Sequence, residues 1–82
     1  MVTFLSDIRA NLEKFGPRLR ELREEANLTV EQLAEKLGVV KQTISKYENN
    51  QREPKYEYLL KLAEIFNVSV DYLLGRIDER KP

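Results

Sequence analysis

The stretch from Thr29 to Asn50 constrains this chain more than any other. Thr29-Val30-Glu31-Gln32 has the form of a capping box, with Thr29 as N-cap and Gln32 three residues on. Leu33, Ala34 and Leu37 then share one helical face, and Gly38 suits the left-handed residue that ends a helix. A second helix is expected from about Val40 to Asn49, with Asn50 taking the left-handed exit. Leu33, Leu37, Val39, Ile44 and Tyr47 occupy the inward positions of this two-helix corner. The small Ala34 lets the second helix approach the first closely.

The rest of the chain is helical in pattern too, with no sustained period-two alternation. Leu5, Ile8, Leu12 and Phe15 recur at helical spacing, and Thr3 or Ser6 is placed to cap that first helix. Gly16-Pro17 punctuates it. Pro17 suits the first turn of a new helix, but it also fits a kink in one longer helix. The apolar phase slightly favours the kink, because Leu19, Leu22 and Ala26 continue the spacing. Pro54 opens a further helix to about Phe66, striped by Leu59, Leu62, Ala63 and Phe66 and widened by Tyr58, Leu60 and Ile65. Its breadth predicts burial on more than one flank. Asn67 ends it, Ser69 caps a last short helix over Val70–Leu74, and Gly75 stops that one. The charged tail, residues 76–82, is expected to fray.

Composition excludes several function classes. The chain has 82 residues, no cysteine and no histidine, so the common zinc sites and the usual neutral-pH general base are missing. No enzyme, metal or cofactor is expected. No apolar run reaches membrane-spanning length, and Asp7 stands where a signal peptide would be apolar. A cytoplasmic protein is the expectation. The 14 basic and 14 acidic residues cancel, but their distribution is uneven. Lys41, Lys46, Arg52 and Lys55 outnumber Glu48 and Glu53 between Val39 and Tyr56, whereas the next stretch, to Gly75, is locally negative.

The corner at residues 30–49 has the helix-turn-helix pattern. Beyond the pattern, LRELREEANLTVEQLAEKLGVVKQTISKYENNQREP and the later LLKLAEIFNVSVDYLL resemble the Cro and phage-repressor type of helix-turn-helix family. The anchors are the LRELRE opening, the LAEKLGV core, ISKYEN, the later proline and the NVSVDYLL end. The resemblance covers roughly residues 15–75. It implies an all-α, five-helix, lambda-repressor-like DNA-binding domain, here with an extra N-terminal helix over residues 1–14.

On a helical wheel Val40, Ile44 and Tyr47 cluster on one side of the second helix. Lys41, Gln42, Ser45 and Lys46 occupy the opposite arc, and Thr43 flanks it. Two cations, an amide and small hydroxyls suit base edges: Gln pairs with adenine, Lys reaches guanine acceptors, Ser or Thr takes either role. No acidic side chain faces out from the arc. By the resemblance, Lys41, Gln42 and Lys46 lead as base contacts, with Thr43 and Ser45 next. Phosphate contacts are expected from Thr29 and the free N–H groups at its helix start, and from Asn49, Gln51 and Arg52. Asn50 belongs to the same loop but serves mainly to end the helix.

The family pattern also implies an ion pair between Arg23 and Glu48, since a lone carboxylate on an inner helix edge is costly. Two residues depart from that pattern. Val30 stands where the family has a phosphate-touching glutamine. Val40 stands where a Ser or Thr caps the recognition helix, a loss of about 1 kcal/mol.

The functional expectation is a sequence-specific double-stranded-DNA-binding transcriptional regulator, a repressor acting as a homodimer on a palindromic operator. The apolar stripe of residues 1–14 either folds back on the domain or supplies the dimer contact. The rival expectation is an antitoxin or other protein-interaction module that uses the apolar terminal helices on a protein partner.

Overall fold

A computed structural model describes residues 4–82 of the chain, with side chains from Ile8 onward. Six helices and no strand form these residues: α1 (Phe4–Leu12), α2 (Phe15–Glu25), α3 (Val30–Leu37), α4 (Lys41–Glu48), α5 (Tyr56–Phe66) and α6 (Val70–Leu73). None of them is long and apolar enough to cross a membrane. The five helices α2–α6 pack around fully buried Leu19, Leu33, Leu37, Ile44, Tyr47, Leu62 and Leu73. Phe15 meets Tyr47 edge-on, ring centroids 6.0 Å apart, and so ties the start of α2 to the inner face of α4.

The break between α1 and α2 corrects the expectation of one kinked helix. A turn at Glu13–Lys14 separates two helices, and Pro17 lies in the first turn of α2. A missing N–H costs little there, because first-turn donors have no partner inside their own helix. Gly16 does more than punctuate. It is buried in α2, and a Cβ on it would collide with the Glu48 carbonyl. Its N–H donates to Asn50 Oδ1 at 2.9 Å, and Asn50 Nδ2 donates to the Glu13 carbonyl at 2.6 Å. One asparagine side chain therefore fastens the α1–α2 turn to the end of α4. Of the two residues considered as caps for α1, Thr3 lies outside the described residues and Ser6 falls within the helix.

The α3–α4 corner follows its local chemistry. The Thr29 hydroxyl accepts from Gln32 N–H at 3.0 Å, and Gln32 Oε1 accepts from Thr29 N–H at 2.8 Å. Gly38 takes φ 85°, and the N–H groups of Gly38 and Val39 both reach the Ala34 carbonyl. From α5, Lys61 Nζ donates to the Leu37 carbonyl at 3.2 Å, satisfying another orphan acceptor at this helix end. Three asparagines end helices in the same left-handed region, Asn27 at φ 57°, Asn50 at 55° and Asn67 at 52°.

Four packing expectations fail. Ala26 caps the end of α2 and is exposed. Val40 is 64% exposed, since it precedes α4 in extended conformation and the helical wheel does not apply to it. Leu60 is 58% exposed and does not widen the buried face of α5, although Tyr58 and Ile65 do pack against the core. The tail does not fray. Arg80 binds Glu21 and Glu25 on α2 at 3.0 and 2.7 Å, and its carbonyl accepts from Ser69 N–H. Arg18 donates to the carbonyls of Tyr72 and Ile77 and to Asp78. The guanidiniums of Arg18 and Arg80 both lie over the Tyr72 ring, 4.3 and 5.5 Å from its centroid.

Candidate nucleic-acid interface

α4 presents two unlike faces because polar and apolar residues alternate at helical spacing. Ile44, Tyr47 and Glu48 point inward, while Lys41, Gln42, Ser45 and Lys46 are exposed. Thr43 departs from the expected arrangement: it is buried, 8% exposed. The wheel placed it at the edge of the arc, but α2 and α3 both pack against α4 and bring that edge under cover. The exposed arc thus holds Lys41, Gln42, Ser45 and Lys46, and no acidic residue stands in the first turn of α4. The N-terminal end of the helix keeps its partial positive charge uncancelled. No side chain caps this helix start, where Val40 is the N-cap.

The flanking residues lie at both ends of the corner. Thr29 is exposed but already engaged in its capping box, so the amides of Val30 and Glu31 are the first-turn donors left outside that box. Asn49 is exposed and turns its amide nitrogen back to the Ser45 carbonyl at 2.9 Å. Gln51 and Arg52 are exposed in the loop after α4, and so is Lys55, the N-cap of α5. Lys55, which was not among the expected site residues, adds a further exposed cation beside that loop.

Glu48 fixes the orientation of this surface. Its side chain is 2% exposed, and Arg23 Nε stands 2.6 Å from Oε2. Arg23 Nη2 adds a second bond to Oε1 at 3.2 Å, and Arg23 Nη1 donates to the Leu28 carbonyl at 2.9 Å. The carboxylate holds the Arg23 guanidinium above its ordinary pKa. Arg20, one turn earlier on α2, also reaches Oε1, with Nε at 3.2 Å. No buried side-chain polar atom among the described residues lacks a partner. Beside this network, burial pushes the Tyr47 phenol up from its ordinary value.

The sequence and the fold have known counterparts. A family model described as helix-turn-helix matches residues 19–73. The chain is 46% identical over 65 residues to YobD of Bacillus subtilis, an uncharacterized HTH-type transcriptional regulator, covering 79% of this chain and 58% of that protein. It is 44% identical over 66 residues to the HTH-type transcriptional regulator ImmR of the same organism, covering 80% and 52%. The chain therefore spans little more than half the length of these curated relatives. Among solved structures it is similar to the P22 c2 repressor bound to a synthetic operator, with TM-score 0.73 and 33% identity over 77% of this chain and 96% of that one.

Proposed function

This chain belongs to the helix-turn-helix family, and we propose that it is a sequence-specific, double-stranded-DNA-binding transcriptional regulator that represses by occupying its operator. One observation carries the reading. The exposed arc of α4 offers Lys41, Gln42, Ser45 and Lys46 without a carboxylate, on a helix locked from behind by Glu48. α4 enters the major groove, and these four side chains meet base edges. Buried Thr43 leaves that set. Thr29, Asn49, Gln51 and Arg52 contact phosphates, which fix register and not sequence.

Two copies bind one palindromic operator, their recognition helices about 34–36 Å apart. The contact between copies lies at a cleft of about 500 Å³ between α1 and α5, lined by Ile8, Leu12, Tyr56 and Leu59. Arg9 and Arg52 share its rim with Glu13 and Glu53, a mixture of signs that a twofold-related copy can match. Deleting residues 2–14 is expected to leave a monomer in solution; a truncated chain that still has the mass of a dimer would exclude that contact.

Selection of bound sequences from random duplexes tests the main reading. A palindromic motif is expected, relaxed by Gln42→Ala and Lys46→Ala at distinct positions. If no motif emerges, base reading is wrong and the protein-interaction module becomes the better account.

A further inference from the structure

We propose that Asn50 is a positioning residue for DNA binding, through which the α1–α2 turn sets the loop after α4; the inference rests on the DNA-binding reading above. Asn50 has φ 55° and directly precedes Gln51 and Arg52, both exposed. On one side the backbone here is held by α4 itself. Asn50 N–H donates to the Tyr47 carbonyl at 3.1 Å, and Gln51 N–H donates to the Lys46 carbonyl at 2.8 Å. On the other side it is held by the Asn50 side chain. Oδ1 accepts from Gly16 N–H in the first turn of α2, and Nδ2 donates to the Glu13 carbonyl. Both ends of one amide are thus spent on the α1–α2 turn.

The left-handed conformation does not demand this, since glycine adopts it more readily than asparagine. What the amide adds is a fixed spacing between two segments remote in sequence. The backbones are close as well, because a Cβ on Gly16 would collide with the Glu48 carbonyl and with Asn50 Oδ1. Asn50 and Arg52 also line the cleft beside α1, together with Ile8 and Leu12. The orientation of α4 is fixed separately, by Arg23 on Glu48. A displacement of α1 therefore reaches the loop through Asn50. A loop already held in place loses less freedom when phosphate arrives, and so binds more tightly.

Two measurements test this. The first compares Asn50→Gly with Asn67→Gly, the same replacement in the same backbone conformation at the end of α5. Each is measured on the selected duplex and on a scrambled duplex across a salt series. Asn50→Gly should weaken binding to both duplexes about three- to tenfold, the typical cost of ordering one or two side chains on binding. The slope of log K against log salt should stay constant, because the same phosphates are met once the complex forms. Asn67→Gly should bind like the wild type. Unchanged affinity in Asn50→Gly, which a purely structural link predicts for the folded chain, would overturn the assignment. So would a loss that Asn67→Gly shares. The second measurement needs no variant. Coupling is reciprocal, so saturating duplex should slow hydrogen exchange at the Gly16 amide more than at the Ser69 amide at the start of α6. Equal slowing at both amides would also overturn the assignment. A wild-type chain that binds neither duplex overturns the functional reading itself, together with this one.

Discussion

Two parts of this molecule are fastened by arginine–carboxylate pairs, and they are fastened very differently. Glu48 meets Arg23 and Arg20 with its own side chain 2% exposed. In the tail, Arg80 meets Glu21 and Glu25, which are 57% and 49% exposed, and Arg18 meets Asp78, 88% exposed. The distances are alike; the surroundings are not. Water and salt screen the tail pairs, while the Glu48 cluster sits where an unpaired charge would be severely penalised. α4 is locked, and the tail is only clasped.

Breaking the lock should give the largest effect. Glu48→Ala removes the counter-charge from two arginines, one of them largely buried, and should cost about 3–5 kcal/mol in urea denaturation. A loss below about 1 kcal/mol would put Glu48 in the same class as the tail pairs. Gly16→Ala attacks the same junction through shape, driving a methyl group into the Glu48 carbonyl. About 1–3 kcal/mol should be lost on thermal unfolding, through the backbone shift that overpacking forces. Val40→Thr works in the other direction. It supplies the missing N-cap of α4 and should raise stability by about 1 kcal/mol, visible as a higher Tm.

The clasp should respond least in global unfolding and most in local opening. Arg80→Ala should leave Tm nearly unchanged yet speed hydrogen exchange at the Ser69 amide, whose acceptor is the Arg80 carbonyl. Acid should act likewise. Arg80 holds the Glu25 carboxyl below its ordinary pKa, so this contribution is complete above the ordinary carboxylate range. It is lost as pH falls through the lowered folded value. Exchange at Ser69 followed through that fall, with and without Arg80→Ala, separates the clasp from other carboxylates.

The same contrast explains what the sequence disclosed. Features set by neighbours along the chain were legible: the Thr29–Gln32 capping box, the Gly38 corner, the exposed Lys41, Gln42, Ser45 and Lys46, and the uncapped start at Val40. The tail was misjudged because its partners on α2 are remote in sequence, and charge alone reads as a solvated end. Thr43 was misplaced because a wheel describes an isolated helix, whereas two neighbours cover α4. Arg20 escaped notice since nothing local separates it from the other charges of RLRELREE; its meeting with Glu48 exists only after folding.

The three left-handed asparagines carry a consequence for which replacements the chain can absorb. Asn27, Asn50 and Asn67 share nearly one backbone conformation, so glycine at any of them relieves the same steric penalty. Among the described residues, Asn50 alone of the three also spends its side chain, on the Glu13 carbonyl and the Gly16 amide. In a library of variants, glycine should therefore survive at positions 27 and 67 and be purged at 50. Positions identical in backbone geometry would then drift at different rates, and position 50 would mark the hinge of the whole α1–α2–α4 junction.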